Sequence, residues 1–186
     1  MALIKAGIDL EHREVVLRDK PAHMLEISPK GTVPVLLLSD GRVIEQSLDI
    51  IFWALEQNDP DRWLDDTDHI LIAENDGSFK AILDRYKYPS RHGGEDLHVT
   101  RDEALPFLSA LDHRLQKNDF LCGPGMSATD IAIFPFIRQF ASVDRAWFDA
   151  LPLPALQCWL NRHLVSDLFE RTMTRHDAWS PTPLIS

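Results

Sequence analysis

SPKGTVPVLLLSDGRVIEQS, residues Ser28–Ser47, is the stretch that decides the fold of this chain. Its residue types follow the order of a turn, a strand, a tight hairpin, a second strand and a helix start. The apolar run Val33–Leu38 predicts a short buried strand, and Pro34 can open it because the first position of a strand tolerates a missing N–H. Asp40-Gly41 predicts a two-residue hairpin, since glycine accepts the positive φ of a primed turn.

A helix is expected directly after this hairpin. Ser47 precedes an apolar pattern with helical spacing, so it stands where the helix should begin. The start of a helix offers unpaired N–H groups and the positive end of the helix dipole, and both favour an anion. A serine at such a position is most often only a cap, so a binding role for Ser47 depends on the whole ordered set of motifs.

This ordered set resembles the glutathione-binding half of the thioredoxin-like domain in glutathione S-transferases. In that family a Val-Pro step like Val33-Pro34 is cis, and the valine backbone pairs with the cysteinyl backbone of glutathione. Gln46-Ser47 matches the pair that holds the γ-glutamyl carboxylate, and Lys30 matches a basic position near the other carboxylate. The resemblance therefore implies that these five residues bind glutathione as a co-substrate.

The composition argues against several other classes of partner and site. The 186 residues carry a formal net charge of -10, which disfavours a nucleic-acid backbone or an anionic membrane as the main partner. No apolar run approaches the length of a membrane span. The two cysteines make no disulfide framework, which favours a reducing, cytoplasmic location. The eight histidines show no metal-ligand spacing, so we expect no metal site.

The patterning predicts two domains. A helix end at Met1–Gly7, a strand within residues 12–17 and a short helix precede the hairpin and helix described above. A polar connection marked by proline follows residue 58, and the patterning after it is helical. Together with the resemblance, this predicts an α/β thioredoxin-like domain over residues 1–58 and an all-α bundle of about five helices over residues 67–186.

The helical domain holds two groups of candidate residues. On a long predicted helix from Thr67 to Tyr88, the resemblance implies that Asp76 contacts glutathione across a dimer interface and that Tyr86 lines a pocket for the second substrate. The alternative is a solvated helix face with ion pairs at helical spacing. Further on, Ser127 and Asp130 form a capping-box pattern before an apolar run, which predicts a structural role for both.

The resemblance does not extend to the catalytic residue. The family's thioredoxin-like unit begins with a strand, a turn and a helix, and its catalytic Cys, Ser or Tyr lies at or near that turn. Here Met1 falls inside what should be the first helix, so we expect the first strand and the catalytic turn to be missing. Three explanations stay open: a start assigned to an internal methionine, a natural protein that is shortened, or a mistaken family assignment in the N-terminal half.

Two functional hypotheses follow from the sequence. The first is a glutathione transferase-like protein, a homodimer by resemblance, that conjugates reduced glutathione to a small electrophile or uses it to reduce a disulfide. The second is a non-catalytic binding or scaffold protein with the same fold, which lacks the residue that activates the glutathione sulfur. No residue of this chain matches the family's catalytic position, so the catalytic residue stays unassigned.

Overall fold

The computed structural model describes residues 1–92 and 96–180. It divides into two compact units, one combining Met1–Pro60 with residues 170–180 and the other formed by Asp61–Phe169. The division thus falls two residues after the predicted limit at residue 58, and the C-terminal stretch groups with the N-terminal unit. The loop expected over residues 93–95 and the loose tail expected over residues 181–186 lie outside the described residues.

The N-terminal unit contains short helices and one small sheet. The sheet is an antiparallel pair in which Leu36 faces Ile44 and Leu37 faces Val43. Its apolar core includes Met24, Ile50 and Leu55, each under one-tenth exposed. The elements are α1 (Ala2–Lys5), α2 (Ala22–Ile27), β1 (Leu36–Leu37), β2 (Val43–Ile44) and α3 (Ser47–Gln57).

The hairpin between β1 and β2 differs from the predicted two-residue turn. The amide of Leu38 donates to the carbonyl of Arg42 at 2.8 Å, and the amide of Gly41 donates to the carbonyl of Leu38 at 3.0 Å, so the loop has three residues. Gly41 has φ +89°, whereas Asp40 does not have a positive φ, so the turn is not a primed one. The Asp40 carboxylate explains this geometry, because it accepts the Arg42 amide at 3.0 Å and closes the loop locally.

The strand predicted within residues 12–17 does not form. The segment makes two isolated bridges, a parallel one between Glu14 and Ala178 and an antiparallel one between Val16 and Asp19. The second bridge marks a turn, in which the Asp19 amide donates to the Val16 carbonyl at 2.8 Å. A strand needs a continuous row of partners, and the chain turns away before such a row is established.

The second unit is helical, as predicted, but its elements differ in detail. The predicted helix from Thr67 to Tyr88 is two α-helices joined by a π-helical turn, and α8 was not predicted. Large side chains including Phe79, Phe134 and Trp159 are almost fully buried in its core. The elements are α4 (His69–Glu74), the π turn (Asn75–Phe79), α5 (Lys80–Lys87), a 3-10 turn (Pro89–His92), α6 (Leu97–Leu115), α7 (Ala128–Val143), α8 (Arg145–Asp149) and α9 (Pro154–Leu164), with α10 (Asp167–Thr172) at the limit of the unit.

The predicted capping box is present at the start of α7. The carboxylate of Asp130 accepts both the backbone amide of Ser127 at 2.9 Å and its hydroxyl at 2.8 Å. Its other oxygen accepts the amide of Leu121 at 2.9 Å and the indole N–H of Trp159 at 2.8 Å. Asp130 is 0% exposed, so a single buried carboxylate ties together the start of α7, the preceding loop and α9.

No helix within residues 1–92 and 96–180 is both long and apolar enough to cross a membrane.

Candidate functional site

The candidate site begins at the turn that follows α2. The amide of Gly31 donates to the carbonyl of Ser28 at 2.9 Å, which closes the turn. Gly31 has φ +59°, and a Cβ at this position would lie 3.1 Å from the Cδ2 atom of Leu25. Both the backbone conformation and the available space therefore favour glycine here, and this fixes the chain on either side of the turn.

Glu45 holds this turn against the end of β2. Its carboxylate accepts the buried hydroxyl of Ser28 at 2.6 Å and pairs with the ammonium of Lys30 at 3.2 Å. The Ser28 hydroxyl, followed by Lys30, holds the pKa of Glu45 below its usual value. The role of Glu45 was not predicted, because its signal in the sequence is weak: an acidic residue beside Gln46 and a basic residue fifteen positions earlier.

The Val33-Pro34 peptide bond is cis, as the resemblance implied. Val33 is 47% exposed although it is apolar. Within the described residues its backbone N–H and carbonyl have no hydrogen-bonding partner. This segment therefore presents an open stretch of backbone that could pair with an extended ligand.

The helix predicted after the hairpin begins at Ser47. Gln46 occupies the N-cap position without making a side-chain cap bond, and Ser47 is the first helical residue. Both side chains are exposed, and the Ser47 hydroxyl has no partner among the described residues. The first amides of a helix also lack partners within the helix. The start of α3 thus offers several hydrogen-bond donors to a ligand.

Two family models match this chain: the N-terminal domain of glutathione S-transferase over residues 1–63 and the C-terminal domain over residues 73–162. The chain belongs to the glutathione S-transferase family. This confirms the predicted fold class, a thioredoxin-like N-terminal domain with a small sheet followed by a helical C-terminal domain.

Individual transferases resemble the chain over most of its length. A probable glutathione S-transferase, GSTU1 of Oryza sativa subsp. indica, is 26% identical over 188 residues, covering 87% of this chain and 77% of the rice protein. BphK, a bacterial GST solved as a ternary complex, gives a TM-score of 0.75 at 23% identity and covers 91% of this chain and 88% of that one. A sphingomonad glutathione S-transferase complexed with glutathione gives a TM-score of 0.72 at 22% identity, and again covers 91% of this chain and 88% of that one. At these identities the solved structures show a shared fold.

The two transferase residues predicted on the long helix lie in different surroundings. Asp76 is exposed in the π turn. Tyr86 is 1% exposed, and its hydroxyl accepts the Nε–H of Arg101 at 3.0 Å. A contact between Tyr86 and a second substrate would require this buried side chain to become accessible, and the roles assigned to both residues stay predictions.

Proposed function

We propose that this glutathione S-transferase family member binds reduced glutathione through Lys30, Val33, Pro34, Gln46 and Ser47. The observation that carries the proposal is the set of exposed donors at the start of α3 that have no protein partner within the described residues. The hydrogen bond between Ser28 and Glu45 ties the turn that precedes Val33 to the residue before Gln46. The donor set and the open backbone are therefore held in one local framework.

Each part of glutathione has a matching group in this proposal. The Ser47 hydroxyl and the first amides of α3 bind the γ-glutamyl carboxylate, because both donate hydrogen bonds and the helix dipole adds positive potential. The Val33 backbone pairs with the cysteinyl backbone. Lys30 faces the glycyl carboxylate, but its charge is already partly neutralised by Glu45 at 3.2 Å. We therefore assign the smallest share of the binding energy to Lys30.

Chemically, we propose that the bound thiol either attacks a small electrophile or reduces a small disulfide. Residues 1–60 contain no cysteine and no tyrosine, so within them a serine is the one residue type left of the three that the family uses for catalysis. Cys122 and Cys158 both lie in the helical unit, as free thiols. The catalytic residue stays unassigned, and the second candidate function is a protein that binds glutathione without turning it over.

Binding is tested by titrating the purified chain with reduced glutathione in a calorimeter. We expect Ser47→Ala to weaken binding by about 1–2 kcal/mol, because it removes a hydrogen bond to a charged group. Ser39→Ala is the matched control, since Ser39 is exposed in the hairpin, and its affinity should equal that of the unchanged chain. An unaltered dissociation constant in Ser47→Ala would remove the proposed site.

Turnover is tested separately with glutathione and either a chloronitrobenzene or a small disulfide. Conjugation or reduction whose KM for glutathione rises in Ser47→Ala, in step with the weaker binding, supports the transferase. Binding without turnover of either substrate supports the second candidate.

We further propose a cytoplasmic homodimer. Membership of the family supports the dimer, within which Asp76 would reach the partner's glutathione, and the two free cysteines fit a reducing compartment. Sedimentation at several concentrations tests the dimer, and the glutathione affinity of Asp76→Ala tests the contact. A loss below about twofold, the size expected of a weak exposed charge contact, would remove Asp76 from the site.

A further inference from the structure

The N-terminal unit contains a second ordered contact, which the proposed glutathione site does not use. Residues 11–14, here called the dock, contact residues 176–179, here called the strap. Both segments belong to the same compact unit. Neither is a helix or a strand, and each contributes one residue to an isolated bridge between them.

The strap follows the dock in one parallel register. Glu14 and Ala178 form a parallel bridge, and the amide of Trp179 donates to the carbonyl of Glu14 at 2.8 Å. Two residues earlier in each segment, the rings of His12 and His176 stack with their centroids 4.1 Å apart and their planes 15° apart. The backbone pairing and the ring pairing share the same offset, so they act on a single extended segment.

Trp179 anchors the strap. The guanidinium of Arg13 lies over its indole ring, 4.6 Å from the centroid. Glu11 orients this guanidinium by accepting its Nη2–H at 2.7 Å. The pKa of Glu11 is lowered first by Arg13 and also by a hydrogen bond from Trp179. Within residues 170–180, Trp179 is the one residue of intermediate exposure and the others are exposed, which is the pattern of an aromatic anchor on an otherwise solvated peptide.

We propose that the dock is a binding site for an extended peptide segment, and that the chain's own strap is its occupant. Backbone pairing at Glu14 supplies affinity without sequence preference. The His12 ring and the Arg13 guanidinium select an imidazole and an indole three residues apart. Because the rest of residues 170–180 is exposed, the strap can open locally without disturbing the core. The dock would then accept the same segment from solution, independently of glutathione binding.

The first test uses full-length Trp179→Ala, which weakens the chain's own strap and leaves the dock intact. A fluorescent peptide with the sequence of residues 174–180 should bind this variant at least about fivefold more tightly than the unchanged chain, because the tethered strap competes for the same site. The same peptide with alanine in place of tryptophan is the control and should bind neither chain. Failure of the native peptide to bind Trp179→Ala would overturn the proposal.

The second test adds a dock substitution to full-length Trp179→Ala. Arg13→Ala should weaken the binding of the peptide by about two- to fivefold, the size of an exposed cation–π contact. Arg18→Ala removes an exposed arginine outside the dock and should leave the affinity unchanged, with circular dichroism confirming that both variants fold. Equal losses in the two variants would show non-specific charge attraction and overturn the assignment.

Occupancy by the strap itself is measured in the unchanged chain by hydrogen exchange. The Trp179 amide should be protected because it donates to Glu14, and Arg13→Ala should reduce that protection. Exchange at the rate of a free peptide would show that the strap does not occupy the dock.

Discussion

Two of the serines at helix starts in this protein are used in opposite ways. Ser127, before α7, is buried, and its hydroxyl and amide both bond to Asp130. Ser47, the first residue of α3, is exposed and has no hydroxyl partner among the described residues. A serine is therefore structural at the N-cap of α7, where its bonds are made internally, and available to a ligand as the first residue of α3, where its hydroxyl is left open.

The same contrast extends to the two units. In the helical unit, buried carboxylates bind several donors each: Asp112, for example, accepts the backbone amide of Leu156 at 2.9 Å and the side-chain Nε2–H of Gln116 at 2.7 Å. Among the described residues of the N-terminal unit, Ser28 is the one buried polar side chain, and it bonds to the partly exposed Glu45. The helical unit thus buries carboxylates together with their donors, whereas the described residues of the N-terminal unit bury no carboxylate.

The largest effect is expected at Asp130, where removal of one carboxylate should destabilise the helical unit by breaking its buried hydrogen-bond network. Asp130→Ala leaves the amides of Leu121 and Ser127 and the indole N–H of Trp159 without their acceptor. Each unsatisfied buried donor costs about 1–3 kcal/mol, so the free energy of unfolding should fall by at least about 3 kcal/mol. Urea unfolding followed by circular dichroism measures it.

Asp102, exposed on α6, provides the control for this measurement. Asp102→Ala should change the free energy of unfolding by less than about 0.5 kcal/mol. A loss below about 1 kcal/mol in Asp130→Ala would show that the buried network contributes little.

The next effect is the pH dependence of folding stability, which depends on a buried histidine in the helical core. His163 is 0% exposed, and both its ring nitrogens lack a partner within the described residues. Burial lowers its pKa from 6.5 to about 4, against the opposing influence of Asp130. As pH falls below 6.5 the unfolded chain binds a proton that the folded chain does not. Stability is therefore lost between pH 6.5 and about 4, by up to about 3 kcal/mol.

His163→Leu tests this explanation, because leucine keeps an apolar side chain at the site and cannot titrate. We expect the variant to lose most of the decline in stability between pH 6.5 and 4. His98→Leu, at an exposed position, should keep the slope of the unchanged chain. Identical slopes in the unchanged chain and His163→Leu would assign the pH dependence to other groups.

A third prediction exchanges the two serines directly. Ser127→Ala should lower the free energy of unfolding by about 1 kcal/mol, the usual value of an N-cap side chain, and leave the glutathione affinity unchanged. Ser47→Ala should weaken glutathione binding and leave the free energy of unfolding unchanged. Unfolding curves and calorimetric titrations give the free energy of unfolding and the dissociation constant of glutathione for each variant. If both substitutions lower the same quantity, the distinction between the two helix starts is wrong.

The smallest effect is expected at Lys30. Its side chain is 61% exposed and already faces Glu45, so Lys30→Ala should weaken glutathione binding by only about twofold, and less at high salt. Lys30→Arg retains the charge and should bind like the unchanged chain. Calorimetry at low and high salt measures both, and a loss that does not vary with salt would point to a contact other than charge.

The features that the sequence predicted are those encoded by neighbouring residues. The capping box depends on residues three apart, and the hairpin follows from glycine in a short polar break. The start of α3 follows from Ser47 and the apolar spacing after it. The cis Val33-Pro34 bond was predicted only through family resemblance, because no local rule makes such a bond cis.

The features that the sequence did not predict depend on partners far along the chain. Whether residues 12–17 pair depends on Ala178, and the burial of Tyr86 depends on Arg101 and the surrounding helices. The role of Glu45 depends on its hydrogen bond with Ser28, which lies on the other side of the hairpin in the sequence. Propensity and spacing contain no information about such contacts, so the binding motif could be predicted but the side chain that supports it could not.

The π turn at Asn75–Phe79 has a consequence for which changes this region can absorb. A π turn contains about one residue more than an α turn, and one residue corresponds to about 100° of rotation around the helix. That extra residue sets the phase at which Phe79, Leu83 and Tyr86 enter the core. A side chain added at Gly77 would meet no atom within 4 Å, whereas deleting Gly77 would rotate all three away from their contacts. At this position a substitution should therefore be tolerated better than a deletion.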